Sequence, residues 1–405
     1  MKYEFKSGVP AAEYLAAAEK SGLRYNLMQD PAWAHVKKDW QSCCCVMTAD
    51  GEPCAFSLLL IRKMAPGVKL VYCPRGYVLD YSDKETLKAF SDGVIGYAKK
   101  IGAYMVRIDP EIILSRTYKR TEVMDSEGHK RMKNLTSEGY MHGGFAKDFH
   151  SYTQPRYNAE ISLCTDGKPA DDTQLLASLD KKLKKFIGAY TEHRGISFSA
   201  ETDPSTIPAF ARISEHTEQR QHVLLRNEEY FARVKEAFGD DCVIFFARMD
   251  MDKFIAFCDE QLPKADIDTA VQIRKDRDDA VQIKQQRGNI IDLSALLTVK
   301  CGKKAYLMYS GFDDSVFPRF RTTNQLRYEA MKYFRDRGCD VFSLMGIHGE
   351  LSDSLSEFKL KFNPTVLEYA GEFEYPVSGW KYAVFKKLLP AAKRVYIKIK
   401  LRKVK

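Results

Sequence analysis

Twice in this chain an amphipathic helical pattern stops on a glycine and gives way at once to an apolar strand pattern. The segments are Tyr97-Ala-Lys-Lys-Ile-Gly102-Ala-Tyr-Met-Val-Arg-Ile-Asp109 and Tyr333-Phe-Arg-Asp-Arg-Gly338-Cys-Asp-Val-Phe-Ser-Leu-Met345. A glycine at a helix end suits a left-handed C-terminal cap, which side chains with a Cβ resist. The first helix is read from a capping-box pattern, Ser82-Asp-Lys-Glu85, through Leu87, Phe90, Val94, Ala98 and Ile101 at helical spacing. The second starts near Asn324 and keeps Leu326, Ala330, Tyr333 and Phe334 on one side. Ahead of each helix lie two apolar runs joined by a tight turn. Asp50-Gly51 separates Cys43–Met47 from Ala55–Ile61, and Cys301-Gly-Lys-Lys304 separates Leu293–Val299 from Ala305–Tyr309. Hairpin, helix and strand, repeated in that order, predict an α/β (α+β) chain of two similar domains in tandem. Their expected spans are 1–150 and 151–375, with 376–405 packing back on the first.

Between 250 and 289 the pattern changes. Lys264 to Arg287 is rich in Asp, Lys, Arg and Gln, and Ile267, Val271, Ile273, Val281 and Ile283 are too sparse for a core of their own. A short antiparallel helical hairpin, an inserted arm, is one reading; a solvated insertion is the other.

The net charge of +9 is concentrated at one end. Residues 381–405 hold ten of the 63 Lys and Arg and none of the 54 Asp and Glu, so the rest of the chain is close to neutral. Apolar and basic residues alternate from Lys393 to Lys405, a pattern that suits RNA phosphates or an acidic lipid surface. A solubilising tail has the same composition. No run of eighteen apolar residues exists, and Met1-Lys2-Tyr3-Glu4-Phe5 does not begin a signal peptide, so a cytoplasmic protein is expected. The ten cysteines include no Cys-x-x-Cys pair. Cys43, Cys44 and Cys45 are consecutive in a strand pattern and alternate between its faces, so they are read as buried small side chains and no metal is expected.

Several positions can carry chemistry. Asp30-Pro31 is a helix start that places Trp33 and Lys37 on one face, where an aromatic beside a cation can hold a phosphate-bearing ligand. Pro74-Arg75-Gly76 turns sharply after an apolar strand and sets Arg75 at its exit, with Asp80 as a candidate partner. Asp109 ends a strand, where α/β sheets place ligand-facing groups, and is read as a general base or as a cap of the turn before Pro110. Gln154-Pro155-Arg156 opens another strand. Lys181 to Lys185 contain four lysines in five residues, a basic face if helical. Thr217-Glu-Gln-Arg220 precedes Tyr230-Phe231, and Gly346-Ile-His-Gly349 precedes Phe358-Lys359-Leu-Lys361-Phe362. A lysine among aromatics can stabilise an anion, a developing oxyanion included.

In that order and spacing, these motifs resemble the FemABX family of tRNA-dependent peptidoglycan-bridge aminoacyltransferases over essentially the whole chain. The resemblance rests on Trp33 with Val36-Lys37, Pro74-Arg75-Gly76 with Asp80, Ile108-Asp109-Pro110, Gln154-Pro155-Arg156, Thr217 with Arg220, and Gly346-Ile347 before Phe358-Lys359 and Phe362. It implies two tandem domains of the acyl-CoA N-acyltransferase (GNAT) type with a helical arm. It implies transfer of an amino acid (glycine, alanine or serine) from aminoacyl-tRNA to the stem-peptide amine of a lipid-linked or UDP-linked muropeptide precursor. Aminoacyl-tRNA would be a co-substrate, with no further cofactor. Carried over position by position, Lys37 and Arg220 would meet the precursor's phosphates and Lys359 the aminoacyl ester. Asp109 matches a carboxylate suggested as a base. Trp33, Arg75, Tyr309, Phe358 and Phe362 join as substrate-binding positions. Peripheral contact with the inner membrane leaflet through 381–405 is a further expectation. The chain departs from the family pattern at Tyr77, where proline is usual, at Ser343, where aspartate is common, and at Asn363-Pro364, where glycines are usual. Two other functions fit the same fold, a coenzyme-A-dependent N-acyltransferase and a non-catalytic tRNA- or membrane-binding protein. The first lacks a recognisable pyrophosphate-binding loop here.

Overall fold

The computed structural model describes residues 1–145, 153–189, 192–221, 226–347 and 354–386, the side chains at 192, 219–221 and 354–355 excepted. The basic segment beyond 386 and the His348-Gly349 pair lie outside the described residues. The chain divides into two compact units. The first takes Met1–Thr117 and Glu122–Tyr157, the second Tyr118–Thr121 and Asn158–Val366, and the chain rejoins the first at Leu367.

The strands of the first unit are β1 (Tyr3–Ser7), β2 (Gln41–Ala49), β3 (Glu52–Ala65), β4 (Val68–Cys73), β5 (Ala103–Ile108) and β6 (Met141–Gly144). Then come β7 (Tyr157–Ser162), β8 (Ile196–Glu201), β9 (Cys242–Asp250), β10 (Ile290–Cys301), β11 (Lys304–Phe312), β12 (Val341–Ile347) and β13 (Thr365–Tyr369). The last, β14 (Glu372–Pro376), pairs antiparallel with β5, Phe373 opposite Ile108, and so belongs to the first unit's sheet.

The first sheet runs β1-β2-β3-β4-β5-β14-β6, and the second begins β8-β9-β10-β11-β12-β7-β13. In each, four consecutive antiparallel strands are followed by a parallel fifth. Parallel neighbours need a crossover, and a helix supplies it in both: α1 (Lys84–Lys100) between β4 and β5, and, later in the chain, Thr322–Arg335 between β11 and β12. The sixth place in each sheet is filled from elsewhere in the chain.

The repeat is therefore present, but its hairpins correspond one strand later than expected. After β2–β3 the chain adds β4 before its helix, whereas β10–β11 leads to its helix directly, so β3–β4 is the counterpart of β10–β11. Both helices end near glycines in the left-handed region, Gly102 at φ +74° and Gly338 at φ +77°. The cap of α1 is also displaced by one residue. Asp83, not Ser82, accepts from the amides of Glu85 and Thr86 at 3.1 and 3.2 Å, since its carboxylate reaches both orphan N–H groups.

Residues 251–287 form α2 (Met251–Gln261) and α3 (Ile267–Arg287). The pair is anchored: Phe254, Cys258 and Ala280 share a buried cluster with Leu293, Val316 and Phe317, while Ile267 is 86% exposed. Helix α4 (Thr322–Arg335) crosses between β11 and β12, and α5 (Ser354–Leu360) follows β12. Cys43 and Cys45 face one core and Cys44 packs on the other side of β2. Among the described residues no helix is long and apolar enough to cross a membrane.

Candidate active site

In the first unit the parallel pair β4 and β5 ends on the motifs Pro74-Arg75-Gly76 and Asp109-Pro110. Arg75 adopts φ +62°, and its amide donates to Asp109 Oδ1 at 2.6 Å. Asp109 Oδ2 accepts from Tyr72 Oη and from the amide of Gln154, both at 2.7 Å. Burial pushes the Asp109 carboxyl up, and the Arg75 charge and these hydrogen bonds oppose that rise. A general base must reach the proton it removes. Both oxygens of Asp109 are engaged and the residue is 3% exposed, so its carboxylate ties three backbone segments together. Gly76 is required by contact as well as by its φ of +76°, because a Cβ there would lie 2.6 Å from Pro110 Cα.

Arg75 is buried, with its guanidinium 4.8 Å from the Tyr369 ring and 4.0 Å from Glu111. Glu111 is held in turn by Asn26 Nδ2 at 2.8 Å. Asp80, the expected partner, is exposed and accepts from the amide of Ser82 instead. Upstream, Asp30 Oδ1 accepts from the amide of Ala32 at 2.9 Å, which starts the short helix Ala32–Val36. Lys37 closes that helix with Nζ 5.1 Å from the ring of buried Trp33.

In the second unit the corresponding strand ends, those of β11 and β12, gather more of the expected residues. Leu297 pairs with Tyr309 and Thr298 with Leu307, which leaves Met308 as a bulge. Bulges re-aim the side chains around them. The Tyr309 ring packs 5.2 Å from Phe231 and 5.9 Å from Tyr230. Next to it, Ser310 Oγ accepts from Arg327 Nη2 at 2.9 Å. Arg327 Nη1 donates to Thr323 O, also at 2.9 Å, and the guanidinium lies 4.7 Å from the Phe358 ring and 5.9 Å from Phe362. Those rings meet edge to face at 5.8 Å. Arg327 is 6% exposed, and among the described residues no carboxylate pairs with it. Burial therefore holds its pKa down, to about 9.

Lys359, on α5, donates from Nζ to Gly346 O at 2.7 Å, which fixes it at the end of β12. The strand end is shaped by Met345 at φ +64°, whose amide bonds to Ser343 Oγ at 3.1 Å. Serine thus supplies the local acceptor that an aspartate could also supply. Asn363 adopts φ +48° and donates from Nδ2 to Ser178 O at 3.0 Å. Asparagine is among the side chains that tolerate the left-handed region, so this departure from glycine keeps the backbone path. Tyr77 is buried and its hydroxyl meets that of Tyr140 at 2.6 Å.

Beside these residues is a cavity of about 500 Å³. Phe186, Phe312, Phe317 and Phe358 form its apolar walls, and Lys182, Lys185, Arg321 and Lys361 its cationic ones. The first turn of α4, Thr322–Asn324, also lines it. Arg321 stands at the N-cap of α4 with φ +48° and gives no side-chain cap, so the positive end of the helix adds to the lysines. Asn324 is 5% exposed, and its Oδ1 has no hydrogen-bond partner among the described residues. Of the two aspartates in the wall, Asp313 is bound by Arg287 at 2.6 Å. The arrangement suits an anionic ligand with a flat ring.

The structure thus brings Phe358 and Phe362 against Arg327, with Lys359 on the same helix turn, while Tyr309, next to Ser310 in β11, turns its ring to Tyr230 and Phe231 on the other side of the strand. Asp109 and Arg75 meet in the first unit, where Trp33 and Lys37 form their own pair. Arg220 lies on the helix Ile207–Gln221, and its side chain is outside the described residues. Arg327, Arg321 and Asn324 are additions. Arg327 has a sequence signal, since it shares helical spacing with Ala330, Met331 and Phe334, an apolar stripe in which an arginine is out of place.

The family model described as the FemAB family matches residues 11–272 and 264–389. The lipid II:glycine glycyltransferase of Staphylococcus aureus strain USA300 is 26% identical to this chain, over 95% of it and 96% of the relative. The enzyme of the same name from strain NCTC 8325 gives the same figures. The crystal structure of FemX superposes with a TM-score of 0.76 at 22% identity, over 95% of this chain and 99% of that one, which establishes a shared fold. Two units of like topology, each with its helix crossover, are the tandem α/β architecture expected from the repeat in the sequence. With the family model covering nearly the whole of it, the chain belongs to the FemAB family.

Proposed function

We propose that this protein transfers an amino acid from aminoacyl-tRNA to the stem-peptide amine of a lipid-linked cell-wall precursor, building the interpeptide bridge. Glycine is the first candidate among glycine, alanine and serine, because the relatives at 26% identity are lipid II:glycine glycyltransferases. The observation that carries the reading is the cationic, phenylalanine-walled cavity that ends at Phe358, one residue from Lys359. Its lysines and uncapped helix end suit phosphate, and its rings suit a nucleobase.

In the reaction, the neutral amine attacks the ester carbonyl and the C–N bond forms as an oxyanion develops. The oxyanion then collapses, the ester C–O bond breaks, and the amine proton ends on the departing ribose hydroxyl. Lys359 is assigned to the oxyanion, and Arg327 is a positioning residue beneath the Phe358 and Phe362 rings. Deprotonation is assigned to the substrates rather than to Asp109, whose oxygens are engaged. Lys37, and Arg220 by family resemblance, are assigned to the precursor's phosphates. Contact with the inner face of the membrane follows from a lipid-linked acceptor.

The assignment of the cavity is tested by binding. Aminoacylated RNA ending in the tRNA 3′ sequence should bind the protein, and Lys182→Ala with Lys361→Ala should weaken it about tenfold or more and flatten its salt dependence. Tight binding of coenzyme A in place of the RNA would favour the N-acyltransferase reading instead.

A further inference from the structure

The last described helix, residues 379–386, has two unlike faces. On one, Tyr382 and Phe385 pack against Val68, Leu70, Tyr104 and Met105, with the Phe385 ring 5.1 Å from Tyr104. Tyr382 Oη and Lys386 Nζ both reach Glu374, at 2.5 and 3.2 Å, which anchors the helix to β14. The other face carries Trp380 at 71% exposure and Val384 at 41%, with exposed Ala383 between them. Positions 380 and 384 are one turn apart and share a face.

Basic groups surround this apolar strip. Lys381 Nζ lies 5.7 Å from the Trp380 ring and donates to Gly67 O at 3.3 Å, in the turn between β3 and β4. Arg62 and Lys63, close to that turn, are exposed. From Lys381 to the last residue the sequence has ten Lys or Arg and no acid. Tryptophan settles at the headgroup level of a bilayer, and basic residues beside it meet anionic lipid. Nucleic acid would match the lysines and stack on the indole, but it offers little to Val384 and Ala383, which acyl chains would cover.

We propose that this helix docks the protein on an anionic bilayer, with Trp380 and Val384 entering the headgroup region and Lys381, Arg62 and Lys63 bound to lipid phosphates. It gives a surface to the membrane contact read above and rests on that reading, but vesicle binding is measured without the transfer reaction.

Vesicles of phosphatidylcholine with about one third phosphatidylglycerol provide the test. Trp33 is 3% exposed, and Trp40 is half-buried against the cluster this helix covers, so the quenching by brominated acyl chains that disappears in Trp380→Ser reports on Trp380. We expect quenching in the full chain, and about tenfold weaker partitioning after Trp380→Ser with Val384→Ser. The melting temperature and transfer to a water-soluble acceptor should not change. Equal partitioning by the double variant, or no quenching in the wild type, would overturn the proposal. So would a loss of RNA binding with vesicle binding intact, which would give the surface to nucleic acid.

Discussion

Replacing Arg327 with methionine should separate stability from activity in the second unit. Among the described residues no carboxylate pairs with the buried guanidinium, and burial holds its pKa down, to about 9. Keeping such a charge out of water costs several kcal/mol. Hydrogen bonds to Ser310 and Thr323, roughly 1.5–3 kcal/mol each from a charged donor, and the contact with the Phe358 ring, about 1 kcal/mol, offset most of it. Methionine keeps the volume and removes the desolvation. Stability should therefore hold or rise by about 1 kcal/mol, a shift of about 2–4 °C in Tm for a unit of this size. Transfer should fall at least tenfold in kcat, because the support under Phe358 and Lys359 is gone. Arg327→Lys should not restore it, since an ammonium lacks the planar fork that lies on the ring and reaches Ser310. Scanning calorimetry alongside single-turnover transfer makes the comparison. A Tm lowered by several degrees would instead make Arg327 a structural cation, and an unchanged kcat would remove its positioning role.

Three further outcomes follow from the local geometry. Gly76→Ala should destabilise the first unit by about 2 kcal/mol or more, because its Cβ would meet Pro110 Cα at 2.6 Å in a left-handed backbone; urea denaturation measures this. Asn363→Ala should cost about 1–2 kcal/mol in the same assay, and Asn363→Gly less, since glycine keeps φ +48° and loses only the bond to Ser178. Burial opposes ionisation of Asp313, but hydrogen bonds from Ser315 and Arg287 outweigh it and hold the carboxyl below its usual range. A depressed carboxyl contributes stability above its unfolded pKa of about 4 and loses it as pH falls through the folded value. Asp313→Asn should therefore lie below the wild type in stability at neutral pH, and the gap should close in acid; denaturation midpoints along a pH series read it.

The sequence made the architecture legible where local chemistry repeats: Gly102 and Gly338 cap corresponding helices, and both lead to a parallel strand. The slip in matching the hairpins came from β4, whose pairing on both sides is a matter of tertiary neighbours that periodicity does not register. The shift of the cap from Ser82 to Asp83 has a similar cause, because both residue types cap helices and only the backbone path selects one. Motif order brought out Phe358, Lys359 and Phe362, which the fold sets beside Arg327, and Tyr309, whose ring packs on Tyr230 and Phe231 instead. It did not bring out Asn324 or Arg321, whose significance depends on a cavity formed by segments distant in sequence. Asp109 shows the opposite limit. A carboxylate at a strand end looks the same in sequence whether it faces a substrate or, as here, three donors of the protein itself.

Transfer from a mixture of charged tRNAs to a lipid-linked muropeptide precursor, with wild-type protein and Lys359→Ala side by side, tests the proposed function and the role of that lysine together. The wild type should join an amino acid, glycine foremost, to the stem-peptide amine. The variant should lose about a hundredfold or more of that transfer with no change in Tm. Transfer at wild-type rate by Lys359→Ala would contradict the role given to that lysine, and no transfer by the wild type from any charged tRNA would contradict the proposed function itself.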